Sequence, residues 1–176
     1  MFAIIDVETS GNLNQKERIT EIAICVFDGL GVVETFESLV NPQRSIDPFV
    51  RKITGITDEM VRDKPTFKEL AQQIWTLTNG NIFTAHNAGF DFPIVRREFQ
   101  SIGIDFQRPR LCTVQAARKF IPGMDKYGLE NLCKQLRITN TAPHRALGDV
   151  MATLEVLKII IQNDQRNELR KLVKIN

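Results

Sequence analysis

Phe2-Ala3-Ile4-Ile5 is an unbroken apolar run that leads directly into Asp6-Val7-Glu8-Thr9. A short run of this kind is what a strand buried on both faces shows. Alternate side chains of a strand share a face, so Asp6 and Glu8 point one way and Val7 the other. Ile19 to Phe27 alternates and then turns continuously apolar. The Asp28-Gly29-Leu30-Gly31 turn follows, leading into a further strand pattern from Val32 to Val40, and the three segments predict an antiparallel meander. Asn41-Pro42 closes it. Short helical pieces are expected between Ile46 and Lys64, with Thr57 as a cap. Thr66-Phe67-Lys68-Glu69 reads as a capping box opening a helix whose apolar face is Phe67, Leu70, Ala71, Ile74 and Leu77. Asn79-Gly80 ends that helix. Asn81 to Ala85 then predicts a fourth strand, reached by a helical crossover and so parallel to the first.

Beyond it the text predicts a helix through Phe92, Ile94, Val95, Phe99 and Ile102, and a strand edge entering a helix over Leu111 to Ile121. A helix over Gly128 to Arg137 turns Leu129, Leu132, Cys133 and Leu136 inward. The last long helix starts after Pro143 and runs to about Asn163, with Leu147, Val150, Met151, Leu154, Leu157, Ile160 and Ile161 as its stripe. A closing helix is expected over about 164–175. Alternating strands and helices make this an α/β chain, read as a single domain over 1–176 with its core at about 2–161.

Composition changes little in that picture. At 176 residues, 43% hydrophobic and 25% charged, with a net charge of +2, the chain can bury one full core, and attraction to polyanions must come from local patches. Cys25, Cys112 and Cys133 are far apart and lack paired spacing, which favours buried thiols over disulfides or zinc. Asp6 comes too early for a signal peptide, and no apolar run reaches ~18 residues, so a cytoplasmic protein away from membranes is expected. Arg96, Arg97, Lys119, Lys126, Lys134 and Arg137 read as solvated faces, and Phe83, Phe99, Phe106 and Trp75 as core.

The candidate chemistry lies in three segments: Asp6-x-Glu8-Thr9, His86-Asn87-x-x-Phe90-Asp91 and His144-x-x-x-x-Asp149. Two carboxylates on one strand face repel unless a cation sits between them. Asp91 belongs to the junction of a strand's C-terminal end with a helix, where α/β sheets gather ligand-handling groups. Residues five apart on a helix diverge by about 140°, so His144 is expected in the loop before the helix and Asp149 in its first turns. Four carboxylates without a thiol suit Mg²⁺ or Mn²⁺ rather than zinc. The chemistry that uses such a set is two-metal phosphodiester hydrolysis, with ions about 3.5–4 Å apart. The expected roles are Asp6 bridging both ions, Glu8 and Asp149 completing one, Asp91 serving the other through water, and His144 taking the proton.

In this order the three segments resemble the Exo I, Exo II and Exo III motifs of the DEDDh 3′–5′ exonucleases, a family that includes the proofreading epsilon subunit of bacterial DNA polymerase III. All five defining positions are filled, by Asp6, Glu8, Asp91, His144 and Asp149. Asn41-Pro42, Gly55-Ile56 and Asp63-Lys64-Pro65-Thr66-Phe67 also resemble epsilon-type text. The resemblance implies a ribonuclease H-like fold, a five-stranded mixed sheet with helices on both faces. It implies release of nucleoside 5′-monophosphates from single-stranded 3′ ends, DNA favoured, in proofreading or repair, with a DNA polymerase catalytic subunit as a partner. Thr9, Ile56, His86, Asn87 and Phe90 carry over as contacts to the terminal nucleotides. Thr54 departs from the pattern, since many epsilon-like sequences have histidine there. RNA trimming by the same five residues, and a polymerase-associated binding module with a vestigial site, are the alternative readings.

Overall fold

The computed structural model describes residues 1–11 and 17–175; residues 12–16 and 176 lie outside the described residues. β1 (Phe2–Thr9), β2 (Ile19–Phe27) and β3 (Val32–Leu39) form the expected antiparallel meander. Helices α1 (Pro48–Thr54), α2 (Asp58–Val61) and α3 (Phe67–Thr78) lead to β4 (Ile82–Ala85). Then come α4 (Ala88–Ser101), β5 (Arg110–Cys112), α5 (Thr113–Phe120), α6 (Leu129–Leu136) and α7 (Ala146–Asn163). The sheet order is β3-β2-β1-β4-β5, so β1 is central, antiparallel to β2 and parallel to β4, with Ile4 opposite Thr84. This is the five-stranded mixed sheet expected, with helices against both faces.

Pleat alternation divides the core into two layers. Ala3, Ile5 and Val7 of β1 and Ile22, Ile24 and Val26 of β2 pack under α3 and α4. Ile4, Ala23, Cys25 and Phe27 face α5, α6 and α7. Asp6 and Glu8 continue the Ile4 face and so emerge toward α7. The first layer is largely aromatic: Phe99 stacks on Phe106 at 4.6 Å between ring centres, and Phe67 meets Phe99 edge-on at 5.0 Å. Trp75 belongs to the same layer, so these rings are core, as their spacing suggested.

Local text sets the boundaries. Thr57 caps α2 through Met60 N, and the amide and hydroxyl of Thr66 both donate to Glu69 at the start of α3. The left-handed Gly55 ends α1. Two expectations are corrected. Met151, placed on the inward stripe of α7, is 40% exposed, because Ala152, Thr153 and Val156 fill the buried side of that helix. The closing helix over 164–175 is replaced by a single 3₁₀ turn at Leu169–Leu172, after which Lys174 exchanges two backbone hydrogen bonds with Arg110 and covers the free edge of β5. All three cysteines are free, with Cys112 half-buried. Among the described residues no helix is long and apolar enough to cross a membrane.

The start of α7 is held in two places. Glu21 of β2, buried in the α7-side layer, accepts from Arg145 Nε and from Ala146 N at 2.8 Å, so a strand carboxylate caps a helix whose sequence supplies no cap of its own. Gly148, one residue before Asp149, lies under the preceding loop, and a Cβ there would fall 2.2 Å from the carbonyl oxygen of Ala142. Glycine inside a helix costs about 1 kcal/mol relative to alanine, so Gly148→Ala would ordinarily stabilise. Here the clash should reverse the sign and cost ~1–3 kcal/mol. Chemical denaturation checks this: a lower midpoint is expected, and a raised one would show that the loop does not press on the helix.

Candidate active site

Asp6 and Glu8 stand on one face of β1 because strand alternation puts them there, and Asp149 reaches them from the first turn of α7. One oxygen from each of the three lies within 4.8 Å of the others. Asp91, in the first turn of α4, approaches from the other layer and is almost fully buried; its Oδ1 accepts the Val7 amide at 3.2 Å. The four predicted acids therefore converge.

Their electrostatics are unfavourable in the protein alone. Burial, then the charges of Asp91, Glu8, Asp149 and Glu21, holds the Asp6 carboxyl well above the usual range. Glu8 is pushed up to about 8 by burial and by Asp149, Glu21 and Asp91. Asp91 is raised to about 7, mainly by burial, with the Val7 amide acting against the shift. Asp149 is raised by burial, while its bonds from Asn140 and His144 pull the other way. Like charges this close hold their protons unless a cation replaces them. The donors are all hard carboxylate oxygens, which fit a divalent cation of the Mg²⁺ or Mn²⁺ type.

His144 lies in the loop before α7, as its spacing from Asp149 required, exposed and with φ of 60°. A non-glycine residue in this region is strained and is held by its surroundings. Here the His144 amide donates to Asp149 Oδ2 at 3.2 Å, while Asn140 Nδ2 donates to Asp149 Oδ1 at 2.7 Å. Both carboxylate oxygens of Asp149 are thus oriented by the loop that carries the histidine. A cavity of about 530 Å³ opens here, lined by Asp6, His86, Cys133, Asn140, His144 and Asp149 among others.

The residues expected around the terminal nucleotide are placed less uniformly. His86 lines the cavity, but its ring is used internally. The Tyr127 carbonyl can only accept, so Nε2 carries the proton and donates to it at 2.9 Å, while Nδ1 accepts from the Thr113 hydroxyl at 2.9 Å. Burial lowers the His86 pKa, so the ring braces the cavity wall as a neutral group. Thr9 is buried and its hydroxyl donates to the Gly11 carbonyl. Asn87 is exposed in a left-handed turn at the start of α4, and Phe90 is half-buried against the aromatic layer. Ile56 is corrected: it is 0% exposed, packed with Ile46 and Val61, and its side chain is not free to meet a base. The Thr54 hydroxyl instead organises that turn by accepting the Ile56 amide, and the exposed apolar groups nearby are Phe49, Ile53 and Met60.

Three neighbours of the acids were not anticipated. Glu21 sits directly opposite Glu8 in the β1–β2 register, and Arg145 neutralises it. An acid within the otherwise apolar ITEIAICVF segment was a signal that could have been followed. Asn140 carried no comparable mark.

A carboxyl whose folded pKa lies above its unfolded value contributes stability below the unfolded value and loses it as pH rises through the folded one. With Glu8 held at about 8 and Asp91 at about 7, against about 4 for free carboxyls, the metal-free protein should lose stability steadily from about pH 4 to about pH 8. Thermal melts in chelator should therefore fall across this window, and millimolar Mg²⁺ or Mn²⁺ should restore more at pH 8.5 than at pH 6. A melting temperature insensitive to both pH and metal would contradict the clustering.

A family model described as Exonuclease matches residues 3–157. The chain is 36% identical over 169 residues to the 3′-5′ exonuclease DinG of Bacillus subtilis (strain 168), covering 92% of this chain but 18% of that protein, so it spans under a fifth of that relative's length. It is 33% identical over 166 residues to DNA polymerase III subunit epsilon of Treponema pallidum (strain Nichols), covering 92% of this chain and 76% of the relative. Among solved structures it is similar to exonuclease X in complex with 5′ overhanging duplex DNA, with a TM-score of 0.75, 32% identity and 92% of each chain covered. With the family model spanning nearly the whole chain and its acids gathered at the end of β1, this protein belongs to the exonuclease family, in its DEDDh, epsilon-like branch.

Proposed function

We propose that this chain is a metal-dependent 3′–5′ exonuclease that hydrolyses the terminal phosphodiester of single-stranded DNA and releases nucleoside 5′-monophosphates, acting in the cytoplasm in proofreading or repair. The observation that carries the reading is the meeting of Asp6, Glu8 and Asp149 oxygens within 4.8 Å beside the buried Asp91. Asp6, Glu8, Asp149 and Asp91 would hold two divalent ions, Mg²⁺ or Mn²⁺, which when bound activate water and stabilise the leaving oxygen.

The chain's own groups supply the rest. Asp149 is fixed by Asn140 and by the His144 amide, so its oxygens are oriented before substrate arrives. Those bonds also tie the His144 backbone to the acid cluster, leaving its imidazole on the cavity rim. Histidine is the side chain suited to accept a proton from water near neutral pH, and His144 takes that role. The neutral His86 ring keeps the Tyr127 segment against the cavity without adding positive charge next to the acids.

DNA is favoured over RNA because the more similar relatives are DNA-related: exonuclease X is seen with duplex DNA, and the epsilon relative is a DNA polymerase III subunit. The same likeness supports a polymerase catalytic subunit as partner.

Mononucleotide release from single-stranded DNA labelled in its 3′-terminal nucleotides tests the assignment. Asp6→Asn should reduce release to background. His144→Asn should lower kcat by ~10²–10⁴-fold, with asparagine chosen because it tolerates the left-handed backbone at this position. Wild-type rates in both variants would overturn the mechanism. Faster degradation of a matched RNA strand would move the substrate from DNA to RNA, and cleavage of a strand blocked by a 3′ phosphate would mark an endonuclease.

A further inference from the structure

Two adjoining clefts lie on the outer side of α4, beyond the turn of residues 86–89 that borders the catalytic cavity. One, of about 150 Å³, is lined by residues 87–89 together with Arg110, Cys112, Gln115 and Lys174. The other, of about 380 Å³, is lined by Phe92, Arg96, Arg97, Gln100 and Arg110. Arg110 belongs to both. No carboxylate lines either cleft among the described residues, although the chain carries 21 acids against 23 Lys and Arg.

The cations in them are weakly compensated. Arg97 is paired with Glu17 at 2.8 Å, but Arg96 reaches Asp105 only at 3.9 Å, and its buried Nε has no hydrogen-bond partner. Arg110 lies over the Phe92 ring at 4.4 Å, which holds its guanidinium in place; its buried Nε is also unpartnered. Lys174 is exposed and is brought there by the two backbone bonds between the C-terminal segment and Arg110. The tail therefore completes a basic wall as well as covering a sheet edge. The opposite rim of the catalytic cavity carries the exposed Glu130.

We infer that Arg96, Arg110 and Lys174 form a track for the phosphodiester backbone of the substrate strand upstream of its 3′ end. The inference rests on the exonuclease reading and deepens it. A polyanion leaving the cavity past α4 meets fixed cations in clefts that no carboxylate lines, with Asp105 beside Arg96 the acid next to them, whereas an exit past α6 meets Glu130 on the cavity rim itself. Cations spaced along a groove give affinity without base preference, as a nuclease that shortens any sequence needs. Because the track grips phosphates rather than sugars, it serves DNA and RNA alike.

Fluorescence anisotropy of an oligothymidylate of about 15 nucleotides, in chelator and across a salt series, tests this directly. For single strands the slope of log K against log salt changes by about 0.7 for each phosphate that is no longer neutralised, so Arg110→Gln/Lys174→Gln should flatten it by about 1.4 and weaken low-salt binding ~10-fold or more. Lys174→Glu alone, which leaves the Arg110–Phe92 stack intact, should also flatten it. In turnover the double variant should raise KM for the long strand while kcat holds, and KM for a dinucleotide should not move. Unchanged slopes and an unchanged KM would overturn the track and leave the face to another partner, such as an acidic protein segment. Altered slopes in a protein that releases no mononucleotide with either metal would overturn the exonuclease reading alone.

Discussion

Repulsion between carboxylates at the C-terminal end of β1 is the constraint on which the rest of the structure depends. Strand alternation fixes Asp6 and Glu8 on one face, and the packing of α7 and α4 against the two sides of the sheet delivers Asp149 and Asp91 to the same end. Nothing in a hydrophobic core favours this gathering, and burial raises the cost of each charge. The fold must therefore be strong enough elsewhere to hold the acids together, and the acids must gain something from outside the chain.

The strength comes from the layers beneath. β1 is buried between two strands and two helical layers, so its end cannot relax away from the repulsion. On the α4 side, Glu98 takes the Ile19 amide and the Arg18 side chain, tying the helix that carries Asp91 to the start of β2. On the α7 side, Glu21 takes Arg145 and Ala146 N, tying the helix that carries Asp149 to the same strand. β2 is thus the common anchor for both incoming acids. Arg145 has a second effect: by engaging Glu21 it keeps a further carboxylate, opposite Glu8 in the sheet, from adding its full charge to the cluster.

Much of this was legible in the text. β2 is buried along its whole length, so the apolar run from Ile19 to Phe27 matches the strand end for end. Thr57, Thr66 and Gly55 mark helix ends through local bonds that a short stretch of sequence contains. The convergence of the acids followed from motif order and from the different periods of strand and helix. What escaped were features set by distant neighbours. Arg145 and Glu21 are 124 residues apart, and neither says alone that the other is its partner. Ile56 sits at a turn that looked open in sequence but is roofed by Ile46 and Val61. The C-terminal segment has helical spacing, yet the free edge of β5 offers it two backbone bonds that a helix would forgo. Met151 fell on the predicted stripe because eleven of the eighteen residues of α7 are apolar, which blurs the direction of its buried face.

The central claim is that these acids coexist as charges only around divalent cations, so cation binding must displace the protons they otherwise retain. Calorimetric titration of the metal-free protein with Mn²⁺ at pH 7, repeated in buffers of different ionisation enthalpy, measures that displacement. The account predicts binding with net release of about one proton or more per protein, lost together in Asp149→Asn. Mn²⁺ binding without proton release, or no binding at all, would contradict it.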